Sequence, residues 1–204
     1  MRLAMRLMRL AAGAVAALML SSMAPAMAYE PGQSRFLGIF PMPSDFGVGP
    51  KSGYRGSSPI PRQTVRYDGR YAPGSIIINT AERRLYLVQP GGTALKYGIG
   101  VGRDGFRWAG TKTITRKAEW PGWTPPPQML KRRPDLPRYM PGGIDNPLGA
   151  RAMYLGSSLY RIHGSNEPET IGQAVSSGCF RMTNDDVTDL YNRVAVGTRV
   201  YVLN

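Results

Sequence analysis

The sequence HGSNEPETIGQAVSSGCFRM, residues 163–182, contains the two most reactive side chains of the protein. His163 is the only histidine among the 204 residues, and Cys179 is the only cysteine. They lie sixteen positions apart, and each has a glycine beside it, Gly164 and Gly178. A thiol is a useful nucleophile at neutral pH when a neighbouring group helps it to ionise, and an imidazole can be that group. Glycine at both places would let a substrate approach the backbone closely.

A purely structural role is the alternative for each of these residues. Free cysteines are among the most buried residue types, and a single histidine is more often packed or exposed than catalytic. In an exported chain, however, an unpaired thiol requires a special explanation. Arg181 would favour the thiolate through its fixed charge, hold a substrate carboxylate, or form a structural ion pair. Physical reasoning alone therefore leaves a catalytic pair and two unrelated structural residues as open alternatives.

Several spaced motifs surround the pair, in a fixed order. His163-Gly164 is followed by Ser176-Ser177-Gly178-Cys179-Phe180-Arg181-Met182, and the sequences 146–151, 160–164 and 184–198 add supporting residues. Over residues 74–204, this series resembles the L,D-transpeptidase (YkuD-type) catalytic domain. Many members of that family carry a second histidine directly before the Gly-Cys pair, where this chain has Ser177. With one imidazole in the chain, His163 has to be the base.

The resemblance implies a cysteine-dependent acyltransferase that acts on peptidoglycan stem peptides. Cys179 would be the nucleophile and His163 the proton acceptor and donor. Family members cleave after the meso-diaminopimelate of a tetrapeptide, release D-Ala, and join the acyl group to an amine of a stem peptide or of a protein. An outer-membrane protein is therefore a second candidate acceptor. The expected substrate-binding residues are Arg181, Ser177, Gly178 and Gly164, with the backbone N–H groups of residues 177–179 facing the oxyanion.

Two alternatives to acyl transfer stay open. Water could accept the acyl group, which would make the protein an L,D-carboxypeptidase or amidase, or the domain could bind cell wall without catalysis and hold a structural thiol. A metal hydrolase is disfavoured, because one histidine and one cysteine cannot supply the usual zinc ligands, and we expect neither metal nor cofactor. The G-x-G-x-x-G pattern at residues 100–105 precedes residues 106–115, which are predicted to form a strand instead of a helix. The pattern therefore predicts a hairpin or bulge and no nucleotide site.

Residues 1–28 have the composition of a secretory signal peptide. Three arginines precede an eleven-residue apolar run at 10–20, and Ala26-Met27-Ala28 resembles a cleavage site. The run is too short for a stable membrane span, which predicts a secreted, periplasmic protein. The formal charge of +13 falls to +10 without those three arginines. Such a basic surface would attract anionic wall polymer or lipid headgroups, or it serves only to keep the protein in solution. We expect no nucleic-acid partner for an exported protein.

The rest of the chain predicts a disordered linker followed by a mainly β domain. Residues 29–73 contain seven prolines and seven glycines, which is typical of a flexible linker. From Gly74, short apolar runs alternate with turn signals about every 10 residues, which predicts a β-sandwich or barrel with mixed sheets. One or two short helices are expected, including one that is capped by Thr183 or Asn184 and ends at Gly197. Residues 199–203 are predicted to form a closing strand.

Residues 120–149, here called the lid segment, contain eight prolines and four glycines. A long irregular segment inside a compact domain is usually functional. We predict that it forms a lid or wall over the thiol, and a proline-rich surface excursion is the alternative.

Overall fold

A computed structural model describes residues 58–204, which form a mainly β fold. The predicted signal peptide and residues 29–57 of the predicted linker lie outside the described residues. The strands are β1 (Gln63–Arg66), β2 (Ile76–Asn79), β3 (Arg84–Gln89), β4 (Thr93–Gly98), β5 (Val101–Gly102), β6 (Gly110–Glu119), β7 (Arg151–Leu155), β8 (Arg161–His163), β9 (Ala174–Ser176), β10 (Phe180–Arg181) and β11 (Arg199–Leu203). The helices are α1 (Pro127–Arg132) and α2 (Asn184–Arg193), with a 3-10 turn at Pro168–Thr170.

Nine of these strands join in one mixed sheet. Their order is β1-β4-β3-β2-β11-β6-β7-β8-β10, and β5 and β9 form a separate parallel pair. The C-terminal strand β11 lies between β2, to which it is parallel, and β6, to which it is antiparallel. The last strand of the chain therefore connects the N-terminal hairpins to the half of the sheet that carries residues 161–181. The mixed β architecture with two helices confirms the predicted fold class.

Alternating side chains divide this sheet into a core face and an outer face. Ile162 in β8 and Phe180 in β10 are almost fully buried in the same core cluster as Leu190 of α2. Because successive strand residues point to opposite faces, Arg161 and His163 must point away from that core. The core packing of Ile162 and Phe180 thus determines which side of the sheet carries the polar residues.

Helix α2 begins where the sequence predicts and ends earlier. The Thr183 hydroxyl accepts a hydrogen bond from the Asp186 amide at 3.2 Å, as expected of an N-cap. The prediction that the helix reaches Gly197 was wrong, because it ends at Arg193 and Val194 is extended. Lys117 Nζ donates to the carbonyls of Tyr191 and Val194 at 2.7 and 2.6 Å, and so satisfies acceptors that a longer helix would have used.

Two further segments differ in detail from the predicted pattern. Strand β1 lies within the stretch predicted as linker and pairs with β4, while the boundary between linker and domain at residue 73 remains a prediction. The lid segment contains the short helix α1, which begins at Pro127, a position that proline tolerates because its missing N–H has no helical partner. Among residues 58–204, no helix combines the length and the apolar character that a membrane span needs.

Candidate active site

Strands β8 and β10 bring His163 and Cys179 to the outer face of the sheet. The two strands are parallel, with Phe180 opposite Ile162 and Arg181 opposite His163. Cys179 directly precedes β10, so it lies one step before the Phe180–Ile162 pair. The Met182 amide donates to the His163 carbonyl at 2.8 Å and fixes this register. Residues sixteen positions apart in sequence therefore become near neighbours on one surface.

Cys179 and His163 both line a cavity of about 470 Å³. The lid segment contributes a large part of the lining, namely Trp123, Pro126, Gln128, Met129, Arg132, Pro147 and Leu148. A second cavity, of about 350 Å³, adjoins the first and shares Trp123, Met129, Arg132, Pro147, Ser177 and Arg181 with it. Cys179 is partly exposed. The thiol is thus accessible from an open cavity, and residues of the lid segment form part of the wall of that cavity.

The His163 ring is oriented by a backbone carbonyl. Its Nδ1 lies 2.6 Å from the carbonyl oxygen of Gly164. Because a carbonyl can only accept, Nδ1 carries the proton and Nε2 keeps its lone pair. Burial, together with the positive charges of Arg181 and Arg161, lowers the pKa of His163 from 6.5 to about 3. The imidazole is therefore neutral at physiological pH and able to accept a proton.

The environment of Cys179 acts on its ionisation in two opposite directions. Burial raises the pKa of the Cys179 thiol above its ordinary value, and the positive charges of Arg161 and Arg181 partly counter that effect by lowering it. The sulfur also lies 3.7 Å from the Leu159 carbonyl oxygen, to which the thiol donates. The resting site therefore holds a neutral thiol and a neutral imidazole in the wall of one cavity.

The turn before Cys179 requires glycine. Gly178 has φ +103°, and a Cβ there would lie 2.6 Å from Cε1 of Tyr160. Ser176 Oγ accepts from the Gly178 amide at 3.1 Å and donates to the Cys179 carbonyl at 2.6 Å. The indole of Trp108 donates to the Gly178 carbonyl at 2.8 Å and stacks on Tyr160, with ring centroids 4.6 Å apart. These contacts hold the residues around the thiol in one conformation.

The predicted substrate-binding residues occupy different places. Ser177 and Arg181 line both cavities. Arg181 Nη1 is 2.7 Å from a carboxylate oxygen of Glu167, so part of its guanidinium is engaged in an ion pair. Gly178 and Gly164 are buried, and neither lines either of these two cavities. The Gly178 amide is already donated to Ser176, which leaves the amides of Ser177 and Cys179 as the candidate oxyanion donors.

Two charged residues that line these cavities were missed by the sequence reasoning. Arg161 lines the larger cavity and Glu167 the smaller one. The signal for Arg161 was its position two residues before His163 on a strand, which places both side chains on one face. No group of three His, Cys, Asp or Glu side chains in residues 58–204 is placed to hold a metal ion.

Neutral burial of His163 predicts a loss of stability in acid. The folded-state pKa, about 3, lies below the unfolded value of 6.5, so between these two pH values the unfolded chain binds the extra proton. The stabilisation is complete above pH 6.5 and decreases as the pH falls towards 3, by up to about 1.4 kcal/mol per pH unit. Urea unfolding at pH 7 and pH 4 measures this loss.

His163→Asn is the control for that measurement, because asparagine cannot titrate in this range while its amide can still donate to Gly164. The variant should lose less stability than the wild type between pH 7 and pH 4. Equal losses in both proteins would show that other groups cause the acid sensitivity.

The sequence and the fold were compared with known proteins. A family profile described as YkuD, L,D-transpeptidase catalytic domain, matches residues 73–202. The probable L,D-transpeptidase ErfK/SrfK of Escherichia coli K12 is 40% identical over 164 residues, which cover 76% of this chain and 51% of the relative. The probable L,D-transpeptidase YbiS of the same strain is 39% identical over 154 residues, 71% of this chain and 49% of the relative. The chain thus spans about half the length of these curated relatives.

A solved structure supports the same fold. An L,D-transpeptidase from Mycobacterium smegmatis matches with a TM-score of 0.53 over 65% of this chain and 59% of that chain, at 18% sequence identity. At that identity, the likeness concerns the fold alone.

Proposed function

Because the chain belongs to the YkuD family of L,D-transpeptidase catalytic domains, we propose that it transfers the acyl group of peptidoglycan stem peptides through a thioester on Cys179. The observation that carries this proposal is that Cys179 and His163 line one open cavity. The imidazole there presents a basic Nε2, because Nδ1 donates to the Gly164 carbonyl. A nucleophile, a base and access for a peptide are the minimum that covalent acyl transfer needs.

Acylation is the first step. The Cys179 sulfur attacks the carbonyl of the residue before the terminal D-Ala, and its proton passes to His163 Nε2. The oxyanion that forms meets the amides of Ser177 and Cys179. His163 then gives the proton to the departing amine, the amide bond breaks, and D-Ala leaves. A neutral imidazole is the form that this sequence requires at its start.

Deacylation by an amine completes the transfer. The acceptor amine attacks the thioester, loses a proton to His163, and the thiolate departs and is reprotonated. The lid segment supports transfer over hydrolysis, because its apolar side chains, including Trp123, Met129 and Leu148, line the same cavity as the thiol and make that cavity less favourable for water. The smaller adjoining cavity gives a second peptide room to reach the same site.

The location and the partners of the enzyme follow from this chemistry. Stem peptides lie outside the cytoplasmic membrane, which agrees with export by the predicted signal peptide and with a periplasmic, wall-associated protein. The acceptor is the amine of a second stem peptide, or a lysine amine of an outer-membrane protein. The excess positive charge of the chain would favour its association with the anionic wall.

Product analysis tests the proposal. The mature chain is incubated with a tetrapeptide muropeptide, with and without an added acceptor amine, and the products are separated and weighed by mass spectrometry. We expect free D-Ala together with a cross-linked dimer or an acceptor adduct. Tripeptide as the single product would identify a hydrolase, and unchanged substrate would contradict the enzymatic proposal.

A further inference from the structure

Arg161 is a positive charge beside the thiol without a carboxylate partner. Two other arginines on these strands are paired, Arg151 with Glu119 at 3.2 Å and Arg181 with Glu167 at 2.7 Å. No carboxylate in residues 58–204 forms such a pair with Arg161. Its Nε is buried and has no hydrogen-bond partner. A half-buried cation without a counter-charge lowers the stability of the fold, so the presence of Arg161 here requires an explanation.

A row of side chains across three strands holds Arg161 in place. In register, Arg116 of β6 lies opposite Tyr154 of β7, and Tyr154 lies opposite Arg161 of β8. The Arg116 and Arg161 guanidinium carbons lie 3.5 and 5.3 Å from the centroid of the Tyr154 ring. Stacking on an aromatic ring positions a guanidinium without neutralising its charge.

The row ends at the thiol. Phe180 is opposite Ile162, so Cys179 comes beside Arg161 in the parallel register. Arg161 and Cys179 line the same cavity, and the positive charge of Arg161 acts on the thiol by lowering its pKa. The Arg161 guanidinium, which lacks a counter-charge, thus faces the Cys179 sulfur, which becomes negative during the proposed reaction.

We propose that Arg161 is a catalytic residue, which donates hydrogen bonds to the Cys179 sulfur whenever that sulfur carries negative charge. This inference rests on the proposed acyl transfer. The sulfur is negative as its proton passes to His163 before attack, and again when the carbon–sulfur bond of the thioester breaks and the thiolate departs. Arg161 stabilises both states, and it exchanges no proton.

The other charged groups around the cavity cannot take this role. His163 is neutral in the resting site, because burial and the same arginines lower its pKa to about 3, and it carries a positive charge only after it has accepted the thiol proton. Arg181 shares its charge with Glu167, and Arg132 belongs to the lid segment, where it lies over the Phe106 ring at 5.6 Å. Tyr160 also lines the cavity, but its side chain has no cationic group. Arg161 is therefore the standing positive charge at the sulfur.

Alkylation of the thiol measures this role without any substrate. The rate at which iodoacetamide modifies Cys179 in the mature chain is followed as a function of pH, and its midpoint reports the thiol pKa. Arg161→Met should raise the midpoint by about one pH unit, which slows alkylation roughly tenfold at pH values below it. Arg161→Lys should restore most of the shift, because it keeps the charge. Arg199→Met, which removes an exposed arginine from β11, should leave the midpoint unchanged.

Arg161→Gln is the second variant in case Arg161→Met does not fold, and its expected shift is the same. An unchanged midpoint in the folded variants would overturn the role of Arg161 and leave the proposed function standing. If the midpoint shifts as expected but the wild type forms no transfer product, the interaction with the sulfur stands and the proposed acyl transfer fails.

Discussion

Cys179→Ala is expected to abolish acyl transfer, with turnover reduced by more than about a thousandfold. In the proposed reaction the acyl group is carried by the sulfur, so its loss removes both half-reactions at once. The neighbouring Ser176 hydroxyl cannot replace the thiol, because it donates to the Cys179 carbonyl and is buried. Turnover is measured by the release of D-Ala and the formation of dimer from muropeptides.

The substitution should leave the fold nearly unchanged. Cys179 is partly exposed, and its thiol makes a single long hydrogen bond, to the Leu159 carbonyl at 3.7 Å. Thermal unfolding of the variant should therefore resemble that of the wild type. Cys179→Ser adds a second comparison, since a hydroxyl keeps the shape but ionises far less readily than a thiol. Wild-type turnover by Cys179→Ala would mean that another group performs the reaction.

The second large effect is expected for His163→Asn, which should reduce turnover by roughly 10²- to 10⁴-fold. Asparagine keeps an N–H that can donate to the Gly164 carbonyl, as Nδ1 of His163 does at 2.6 Å, so the local backbone is preserved. It has no equivalent of the basic Nε2. The loss of activity therefore reports the contribution of proton transfer, separately from that of packing. Steady-state kinetics should show this loss mainly as a lower kcat.

Thiol alkylation distinguishes a missing base from a damaged site in this variant. Iodoacetamide should still modify Cys179 in His163→Asn at alkaline pH, where solvent removes the proton. A variant that resists alkylation at every pH would indicate that the cavity has closed, and one with wild-type kcat would exclude His163 as the base.

The sequence predicted the elements whose signals are local. The β11 strand at Arg199–Leu203 and the Thr183 cap of α2 lie where their residue patterns place them, because alternation and capping depend on immediate neighbours. The strand predicted over residues 106–115 lies instead at Gly110–Glu119. Trp108 is held outside that strand by its hydrogen bond to Gly178, a partner seventy residues away. Sequence periodicity contains no information about such a contact.

The same distinction applies to the site. Cys179 and His163 were predicted to be a catalytic pair because they are unique residues in a recognisable motif, and the fold places both in the wall of one cavity. Arg161 was missed because its importance comes from the pairing of β8 with β10 and from the lack of a carboxylate nearby, which are tertiary properties. Gly164 was predicted to contact substrate, and in the fold its carbonyl contacts the imidazole. The role of a residue in orienting another residue is seldom visible in sequence alone.

Mass spectrometry of the acyl-enzyme tests the central claim most directly. The mature chain is mixed with a tetrapeptide donor in the absence of an acceptor amine, quenched in acid, and digested, and the modified peptide is sequenced. The account predicts a thioester adduct, of the mass of the donor less D-Ala, on Cys179 alone. The account would be contradicted if the donor is turned over while the adduct forms on another residue, or while Cys179 stays unmodified at every time point.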